Sequence, residues 1–418
     1  MGSQHILING AGPAGLSLAI ALAKRSIRST VFEIRSTPTT MGGAINLAPN
    51  ALRVLDQTIG IYDQIRHLGF EYEYIEFYSD DGWRLGGVAN GDRQAYGYPA
   101  LRIYRATILE ALLKCISDYS TLVTILWGSS VNKIAESDTG VEVTLHDGST
   151  VNGNILVGAD GIHSKTREYV LGDRAPTPIY GGQYGIGGCV ERNEIDWQNF
   201  TLPALLFSHR GAVLLFPFTP DGNNIGWAIQ STVPEKTREG WIEYLNSGAA
   251  LEEVRKQYAD AGQPVQDILA KTKVETMRGW PPYKIPDLPT WHTNRVLLIG
   301  DAAHCIPPYS GQGAAQAFED AGYLARLLAD QTTLTFGYPT IFTHFEKVRK
   351  ERFAHVRELT ERSGNMRHTS SKWQWFIKKY LMWFYFYQYE RGYLRDGRIF
   401  EYDINKEPLL STDQSTTD

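Results

Sequence analysis

Three glycines near the start of the chain have the spacing that lets a backbone approach a phosphate. Gly10, Gly12 and Gly15 follow the apolar run 5–9 and precede residues 16–24, which favour a helix. In such a strand–turn–helix unit the first glycine permits a tight turn, the second admits a pyrophosphate, and the third lets helix and strand pack closely. The helix N-terminus presents free N–H groups to the same anion. The pattern predicts a dinucleotide site.

An acidic residue ends the next predicted strand, residues 30–33. Glu33 lies about 20 residues beyond the glycine turn, where a carboxylate can accept hydrogen bonds from the ribose of an adenosine. The same carboxylate would repel a 2′-phosphate, so the pattern disfavours NADP in this position. An ordinary glycine-rich loop is the structural alternative. The strand, the helix and the acid all stand in the required places, which argues against that alternative.

A second turn, residues 158–167, follows an apolar strand predicted at 151–157 and leads toward a helix. It contains the sequence Gly-Ala-Asp-Gly, in which Asp160 is the acid. From these residues alone, two interpretations are equally good: Asp160 or Ser164 caps the following helix, or the turn binds a ligand.

A third motif begins with Gly300 and Asp301, directly after a predicted buried strand. A carboxylate at the C-terminal end of such a strand can meet a ligand that lies across the strand ends. Pro308, Gly311 and Gly313 follow and lead into a long predicted helix. The first N–H groups of that helix suit an anion or an electron-rich ring edge. The alternative is a Pro/Gly loop with a helix cap.

Composition narrows the class of protein further. A length of 418 residues predicts two domains, and a net charge of −5 gives no electrostatic footprint for nucleic acid. Cys115, Cys189 and Cys305 are far apart, so we expect neither a disulfide framework nor a metal site. The N-terminus lacks a signal-peptide pattern, and no apolar run reaches the roughly 18 residues of a membrane span. We therefore expect a cytoplasmic protein without a transmembrane span.

The three motifs, in this order over about residues 4–330, resemble the class A flavoprotein aromatic hydroxylases, the salicylate-hydroxylase-like FAD monooxygenases. Residues 206–218 and 307–309 are also similar to tetracycline-inactivating flavin monooxygenases. The resemblance implies an α/β fold in which an FAD-binding Rossmann-type domain, like that of glutathione reductase, is interleaved with a β-sheet substrate domain and followed by C-terminal helices. The predicted boundaries are 1–69, 99–175 and 280–365 for the FAD-binding domain, 70–98 and 176–279 for the substrate domain, 366–410 for an aromatic-rich C-terminal helical segment, and 411–418 for a disordered tail.

The resemblance also implies which residues hold the cofactor. The glycine turn would hold the FAD pyrophosphate, Glu33 the adenosine ribose and Asp301 the ribityl chain. Asp160 would couple the flavin site to the approach of the nicotinamide. The complete set of predicted FAD-binding residues is Gly10, Gly12, Ala14, Gly15, Glu33, Arg35, Ala44, Arg105, Asp160, Asp301, Gly311, Gly313 and Ala314.

The resemblance also implies which residues surround the flavin ring and the reaction site. Ala44 belongs to residues 42–50, which are similar to the segment that flanks the flavin in this family. Arg105 matches an arginine that contacts the flavin, and a surface salt bridge at a helix start is its structural alternative. Pro308 would line the reaction site.

The chemistry implied by the family starts with reduction of FAD by NADPH or NADH, a transient reductant. O2 then forms a flavin C4a-hydroperoxide, and one oxygen atom enters an electron-rich aromatic or polycyclic small molecule such as a secondary metabolite. The sequence has no second glycine-rich turn of this kind for a nicotinamide nucleotide. The protein shields the reactive oxygen from water and positions the acceptor, so no dedicated nucleophile is required.

Neither the sequence nor the resemblance assigns a catalytic residue. Some fungal family members bind a phenol with an arginine and a tyrosine on the substrate-facing sheet, and the matching Tyr-Pro is Phe216–Pro217 here. His209, Arg210 and Pro308 are candidates, with structural roles as the alternative. Three other functions stay open: a flavin oxidase or dehydrogenase, a halogenase, and a non-catalytic flavin-binding protein.

The C-terminal segment 373–387 is apolar on every helical face. Such a helix is buried, forms an oligomer contact or touches a membrane surface. We expect it to pack across both domains, with weak membrane-surface contact as an alternative. The chain is expected to be a monomer or a homodimer.

Overall fold

The glycine turn joins the first strand to the first helix. In the computed structural model, which describes residues 4–38, 43–394 and 397–411, these elements are β1 (His5–Asn9) and α1 (Pro13–Ala23). A proline in the first turn of a helix leaves no hydrogen bond unmade, which explains the helix start. The remainder of α1 is buried along its whole length.

The other elements of the described chain follow in order. The strands are β2 (Arg28–Glu33), β3 (Ala44–Leu47), β4 (Phe70–Tyr72), β5 (Tyr74–Ser79), β6 (Arg84–Ala89), β7 (Ala100–Tyr104), β8 (Val123–Trp127), β9 (Val131–Glu136), β10 (Val141–Leu145), β11 (Thr150–Gly153), β12 (Ile155–Gly158), β13 (Ile179–Tyr180), β14 (Gln183–Glu191), β15 (Ala204–Ser208), β16 (Gly211–Pro217), β17 (Asn224–Thr232), β18 (Arg278–Trp280), β19 (Tyr283–Lys284) and β20 (Val296–Leu298). The helices are α2 (Pro49–Val54), α3 (Tyr62–Ile65), α4 (Arg93–Tyr96), α5 (Arg105–Ser117), α6 (Lys165–Leu171), α7 (Arg238–Asn246), α8 (Ala249–Gln257), α9 (Val265–Lys271), α10 (Asp301–His304), α11 (Gly313–Ala329), α12 (Gln331–Leu334), α13 (Tyr338–Met366) and α14 (Lys372–Glu390). A π-helical turn spans Leu55–Ile59, and 3₁₀ turns span Arg66–Leu68, Gly172–Arg174, Arg192–Glu194, Val274–Thr276, Pro308–Ser310 and Ile404–Lys406.

A five-stranded parallel sheet has the order β20-β12-β1-β2-β8. Its central strand is fully buried at Ile6, Leu7 and Ile8. Strands of parallel sheets are apolar along their whole length because both faces are covered. Here α1 covers one face and contacts both α5 and α11. The predicted α/β class with a parallel sheet is confirmed.

A seven-stranded sheet of order β18-β14-β17-β16-β15-β5-β6 forms the second layer. One face packs on α7, α8 and α9 through an apolar cluster that includes Trp227, Trp241 and Leu251. The opposite face carries a second cluster, which includes Phe207 and Phe216. Strands that lie far apart in the sequence, β5 and β15, pair directly in this sheet.

A three-stranded antiparallel sheet lies at the junction of the two layers. Its central strand is β7, which pairs with β3 on one side and β4 on the other. The register places Arg102 of β7 opposite Asn46 of β3 and Phe70 of β4. Because side chains of directly paired residues share a face, Arg102 and Asn46 point the same way.

The strand predicted at 151–157 is divided in the structure, which corrects that prediction. Residues of β11 pair antiparallel with β10, whereas β12 enters the parallel sheet beside β1. The chain changes sheets after Gly153, where a Cβ would lie 2.6 Å from the side chain of Leu7. Periodicity could not reveal this division, because both short strands are similarly apolar.

The sequence also favours a helix over residues 49–68 and another over residues 238–271, and both stretches are interrupted in the structure. The first breaks at Gly60, which has a φ of 80°, a conformation that favours glycine. The second is divided into α7, α8 and α9, with Gly248 before α8 and Pro264 before α9. Gly42 and residues 412–418 of the predicted tail lie outside the described residues.

The aromatic helix α14 is less buried than predicted. Trp375, Met382 and Phe386 pack on the seven-stranded sheet, but Trp373 is 70% exposed and Leu381 is 65% exposed. The helix therefore packs through one stripe on the seven-stranded sheet, because one sheet face can cover only one stripe of a helix. Across the described ranges, no helix is both long enough and apolar enough to traverse a membrane.

Candidate active site

The predicted site segments meet at one edge of the parallel sheet. The glycine turn follows β1, Glu33 ends β2, Asp160 follows β12, and Asp301 follows β20. Since these strands are parallel neighbours, their C-terminal ends share an edge. The chain runs from β1 to β2 on one side and has β12 on the other side, which is the topological switch point where α/β sheets bind ligands.

Two of the three glycines of the first turn are required by close packing, and the third faces open space. A Cβ at Gly10 would overlap the carbonyl oxygen of Ala159, and a Cβ at Gly15 would overlap that of Gly10. At Gly12, a Cβ would meet no described atom within 4 Å. The N-terminus of α1 also lacks a side-chain cap within the described structure. Free N–H groups beside an open cradle fit a pyrophosphate.

Glu33 is buried beside this turn and keeps free acceptor capacity. Its carboxylate accepts hydrogen bonds from the backbone N–H of Ala11 and of Arg35, both at 3.0 Å. A carboxylate offers about four acceptor positions, so ribose hydroxyls can still be accommodated. The Arg35 side chain is 62% exposed, with a guanidinium nitrogen 3.6 Å from the carboxylate.

Asp160 is engaged within its own turn. Thr166 donates its backbone N–H and its hydroxyl to the carboxylate, both at 3.0 Å, and Ser164 donates its hydroxyl at 2.5 Å. The Asn9 amide of β1 donates at 3.1 Å. Ser164 in turn caps α6 by accepting from the N–H of Arg167. These contacts favour the capping role over direct ligand binding.

Asp301 is exposed at the start of α10, and its carboxylate has no hydrogen-bond partner among the described residues. The preceding Gly300 has a φ of 59°, and a Cβ there would lie 3.2 Å from the Cβ of Ala14. The third motif therefore lies against α1 of the first motif, and Asp301 presents a free carboxylate at the shared edge.

The start of α11 faces open space as well. Gly311 has a φ of 68°, and a Cβ at Gly313 would meet no atom of the described chain within 4 Å. No side chain of the described residues caps this helix, so the N–H groups near Gly313 and Ala314 are available. Asn46 of β3 borders the space, 3.4 Å from the Cβ position of Gly311.

Ala44 and Arg105 lie together next to β7. Ala44 pairs with Tyr104, and the N–H of Arg105 donates to the carbonyl of Gly43 at 3.1 Å. The Arg105 side chain is exposed and forms no ion pair with any described residue. The alternative of a surface salt bridge is therefore wrong for the described chain.

A buried ionic cluster, which sequence reasoning missed, lies behind these loops. Glu319 and Asp320 are adjacent on α11 and fully buried. Arg349 of α13 donates to Asp320 at 2.7 Å and to Glu319 at 2.9 Å, and Arg352 donates to Glu319 at 3.0 Å. Burial alone would raise the pKa of Asp320, but His304 and Arg349 outweigh it and lower the pKa to about 2. Both acids are thus ionised counter-charges.

The same cluster reaches the site loops. Asp320 accepts from the backbone N–H of Gly300 at 2.8 Å and lies 2.6 Å from the His304 ring nitrogen. The Asn50 amide donates to Glu319 at 2.6 Å and to Gln312 at 2.9 Å. The turn before Asp301 and the start of α11 are therefore fixed by one pair of acids.

The segment Pro308–Ser310 is held by the C-terminal end of α13. The hydroxyls of Ser310 and Thr360 lie 2.6 Å apart, and Arg367 donates to the carbonyl of Tyr309 at 2.8 Å. Gly364 leaves room for the Tyr309 ring, since a Cβ there would lie 2.7 Å from it. Pro308 is exposed at the start of this turn.

A cavity of about 320 Å³ lies beside Tyr309, whose hydroxyl donates to Gln183 at 3.4 Å. It separates the seven-stranded sheet from the end of α13. A larger groove of about 1010 Å³ lies on the other side of Tyr309, between α13 and residues 284–291. The smaller cavity is lined by Gln183, Arg210, Ala212, Leu214, Gln230, Ser231, Thr232, Glu253, Gln257, Arg367 and Thr369.

His209 and Arg210 lie in the turn between β15 and β16, at the opposite end of β16 from Phe216. That strand separates them by roughly 20 Å at about 3.4 Å per residue. Arg210 is ion-paired with Asp260, although it lines one end of the smaller cavity. Burial and the neighbouring Arg210 lower the pKa of His209. The structure therefore does not bring His209 and Arg210 close to the glycine turn or to the turns that carry Asp160 and Asp301.

Sequence signals for the missed residues exist in hindsight. Glu319 and Asp320 are two adjacent acids inside a helix rich in apolar residues. Charges at such positions are buried, and buried charges need partners. Which partner each one has depends on residues far away in the sequence.

The chain matches the family described as the FAD-binding domain over residues 3–356. It is 30% identical to the 3-amino-4-hydroxybenzoate 2-monooxygenase PtmB3 of Streptomyces platensis, over 78% of this chain and 79% of that protein. It is 28% identical to the salicylate hydroxylase of Pseudomonas putida, over 87% and 85%. The crystal structure of Klebsiella pneumoniae HpxO with FAD and uric acid is similar in fold, with a TM-score of 0.75, 22% identity and coverage of 97% and 95%.

The chain belongs to this FAD-binding family. It is an FAD-dependent monooxygenase of the aromatic-hydroxylase kind, as the resemblance implied. Its open cradle at Gly12 and the uncapped starts of α1 and α11 fit FAD.

The ionic cluster gives the first prediction. Arg349→Met should lower the free energy of unfolding by about 3–5 kcal/mol, because it leaves two buried carboxylates short of a counter-charge. FAD content should fall too, since both site loops are anchored to these acids. Urea unfolding and the flavin-to-protein absorbance ratio measure the two effects.

Arg362→Met is the matched control. Arg362 forms an exposed ion pair with Glu358 on the same helix, so its loss should change stability by no more than about 0.5 kcal/mol. An Arg349→Met variant as stable as this control would show that the buried ionic cluster does not stabilise the fold.

Proposed function

We propose that FAD lies across the C-terminal edge of the parallel sheet, with the adenosine at Glu33 and Arg35 and the flavin ring at the start of α11. The observation that carries this proposal is the pair of uncapped helix starts, at Gly12 and Gly313, which open onto unfilled space in the described structure. Helix N-termini attract the phosphates at one end and the electron-rich ring edge at the other.

The remaining predicted residues take places along this path. Asp301, with its free carboxylate, would accept from the ribityl hydroxyls, and Ala14 would support the turn at Gly300. Ala44 and Arg105 would flank the ring together with Gly311 and Ala314. Asp160 would act indirectly, by shaping the turn that packs on Gly10.

The substrate is proposed to be an electron-rich aromatic or polycyclic molecule that lies between the flavin and the seven-stranded sheet. Three small or apolar residues, Gly187, Ala228 and Leu214, pair across this sheet on the face that lines the smaller cavity. Gln183 and Gln230 add amide groups at its border. A flat floor edged by amides suits a planar ring with polar substituents.

When bound, FAD would supply electrons taken from NADH or NADPH and the activation of O2 for transfer of one oxygen atom. The chain itself would position the acceptor and exclude water from it. Pro308 and Tyr309 would limit the reaction space, since Arg367 and Gly364 hold their turn in place. We place this reaction in the cytoplasm, which supplies both nicotinamide nucleotides.

The exposed aromatic face of α14 consists of Trp373, Phe376, Tyr380, Trp383 and Tyr387. We propose that it makes weak contact with a membrane surface, because Trp and Tyr rings favour the interface between lipid and water. A homodimer formed through the same face is the alternative, and a chain without either contact would be a monomer.

The second prediction concerns cofactor retention. Gly12→Val should weaken FAD binding by roughly tenfold or more, because its side chain would fill the cradle proposed for the pyrophosphate. Its thermal unfolding as apoprotein should match the wild type, since a Cβ there meets no described atom within 4 Å. The flavin-to-protein ratio after gel filtration measures the loss.

Gly15→Val provides the contrast, because it should fail to fold rather than merely lose FAD. Asp301→Ala should fold and retain FAD less tightly. Full flavin occupancy in Gly12→Val or in Asp301→Ala would show that FAD lies elsewhere.

The third prediction tests oxygen transfer. Small aromatic and polycyclic compounds incubated with the holoenzyme, NADPH and isotopically labelled O2 should include one that accelerates NADPH oxidation and gains one labelled oxygen atom. Mass spectrometry detects the product. A holoenzyme that oxidises NADPH to give only hydrogen peroxide with every compound would contradict the proposed reaction.

A further inference from the structure

The exposed aromatic face of α14 belongs to a continuous apolar surface. Between its five rings it also carries the side chains of Ile377, Leu381 and Phe384. At 3.6 residues per turn, these eight side chains span an arc of about 160° around the helix. The opposite side of α14, with Trp375 and Met382, packs on the seven-stranded sheet. The uncovered arc is therefore wider than the covered stripe.

This surface is larger than a soluble monomer ordinarily exposes. The exposed fractions of its residues run from 38% for Tyr387 to 70% for Trp373. Eight side chains of roughly 200 Å² each, about half exposed, present about 800 Å². The largest apolar patch on a typical monomer measures about 300–600 Å² and is often functional. The size of the surface therefore indicates a partner.

The convex shape of the surface distinguishes a second copy of the chain from a lipid surface. A second copy of α14 would cover one stripe of the helix, as the sheet does on the opposite side. Leu381 and Trp383, at the two edges of the arc, would stay in water. A lipid surface is fluid, so it surrounds the whole exposed arc of a helix that lies in its plane.

The charges of α14 suit a negatively charged surface. Its only acid, Glu390, turns toward the sheet, where it accepts from the backbone N–H of Gly87 at 2.9 Å. Lys372 begins the helix and Arg391 follows its end, and both are exposed. Neither forms an ion pair within the described chain, although the Arg391 guanidinium lies 4.9 Å from the ring centre of Tyr387. The uncharged face thus has a cation at each end.

The helix is fixed to the sheet near both ends. Lys379 pairs with Asp81 at 2.7 Å, and Glu390 pairs with Arg84 at 2.8 Å. A capping box at Ser371 fixes the start of the helix. Any surface that binds α14 therefore also sets the orientation of the seven-stranded sheet.

The loop that leads into α14 borders the smaller cavity. Arg367 and Thr369 line that cavity, and the N–H of Ser370 donates to the carbonyl of His209 at 2.8 Å. Trp373 follows Thr369 by four residues, which reach at most about 14 Å. The cavity proposed for the substrate therefore lies next to the exposed aromatic face.

We propose that α14 docks the enzyme on an anionic lipid surface and that the enzyme takes up an uncharged polycyclic substrate dissolved in that membrane. This inference rests on the proposed function and adds the charge of the surface and the source of the substrate. Lys372 and Arg391 would contact anionic headgroups, while Leu381 and Phe384 would enter the acyl region. A substrate that partitions into lipid is concentrated there, so its uptake avoids passage through water.

Flotation of the holoenzyme with lipid vesicles tests the docking. Wild-type enzyme should bind vesicles of phosphatidylcholine and phosphatidylserine more tightly than vesicles of phosphatidylcholine alone. The double variant Trp373→Ser with Leu381→Ser should weaken binding to both by about tenfold or more. Lys372→Gln with Arg391→Gln should remove roughly 10- to 30-fold of the affinity for phosphatidylserine vesicles only.

Ile242→Ser is the matched control. Ile242 is 52% exposed on α7, which packs on the other face of the sheet, so this variant should bind vesicles like the wild type.

Transfer of 2-anthrol, an uncharged tricyclic phenol, from phosphatidylserine vesicles to oxidised holoenzyme tests the uptake. Binding is followed by the flavin absorbance, without NADPH. If the enzyme docks, the transfer rate should rise with enzyme concentration. Passage through water would instead give a plateau, set by the escape of 2-anthrol from the vesicle. The Trp373→Ser, Leu381→Ser variant should show this plateau and bind 2-anthrol added from water with wild-type affinity.

Three results would overturn the inference. The first is a wild-type enzyme that binds phosphatidylserine vesicles no better than phosphatidylcholine vesicles. The second is a wild-type dimer that the Trp373→Ser, Leu381→Ser variant dissociates, without vesicle binding, which would assign the face to a second copy. The third is a wild-type transfer rate that does not depend on enzyme concentration, or no transfer. Because neither measurement involves turnover, failure of oxygen transfer is a separate outcome.

Discussion

Two adjacent carboxylates on one turn of α11, Glu319 and Asp320, are neutralised by Arg349 and Arg352 of α13 in the interior of the protein. Asp320 also accepts from the backbone of Gly300, and Glu319 accepts from Asn50. Removing charges from water is costly, so such a cluster persists only when every member has a partner. The consequence is that the turn before Asp301 and the start of α11 cannot shift independently. The same ion pairs therefore position both loops: the one proposed to bind the ribityl chain and the one proposed to bind the flavin ring.

Charged side chains that have a counter-charge and charged side chains that lack one have different roles in this molecule. The acids of α11 and the arginines of α13 pair with one another and hold the scaffold together. Asp301 lacks a charged partner in the described chain, and it lies at the strand ends where FAD is proposed to bind. Groups left unsatisfied reduce stability, and proteins retain them where a ligand completes the set. This contrast, rather than any single distance, supports the assignment of the site.

Local sequence patterns predicted those parts of the fold and site that depend on neighbours in the chain. The spacing of Gly10, Gly12 and Gly15 determines a turn of about six residues, and the long helix predicted after Gly313 is α11. Sequence alone could not divide residues 151–157 between two sheets, because that division depends on contact with β1. It could not predict which face of α14 is covered. The partners of Asp320 come from residues that meet only in the folded chain.

A crystal structure of the holoenzyme with FAD would locate the cofactor and so test the proposed site. We expect the pyrophosphate at the backbone of Gly12, a ribose hydroxyl within hydrogen-bond distance of Glu33, and the flavin ring against Gly311 and Gly313, with Glu319 and Asp320 still paired to their arginines. A flavin ring bound away from the start of α11, or an adenosine away from Glu33, would contradict it.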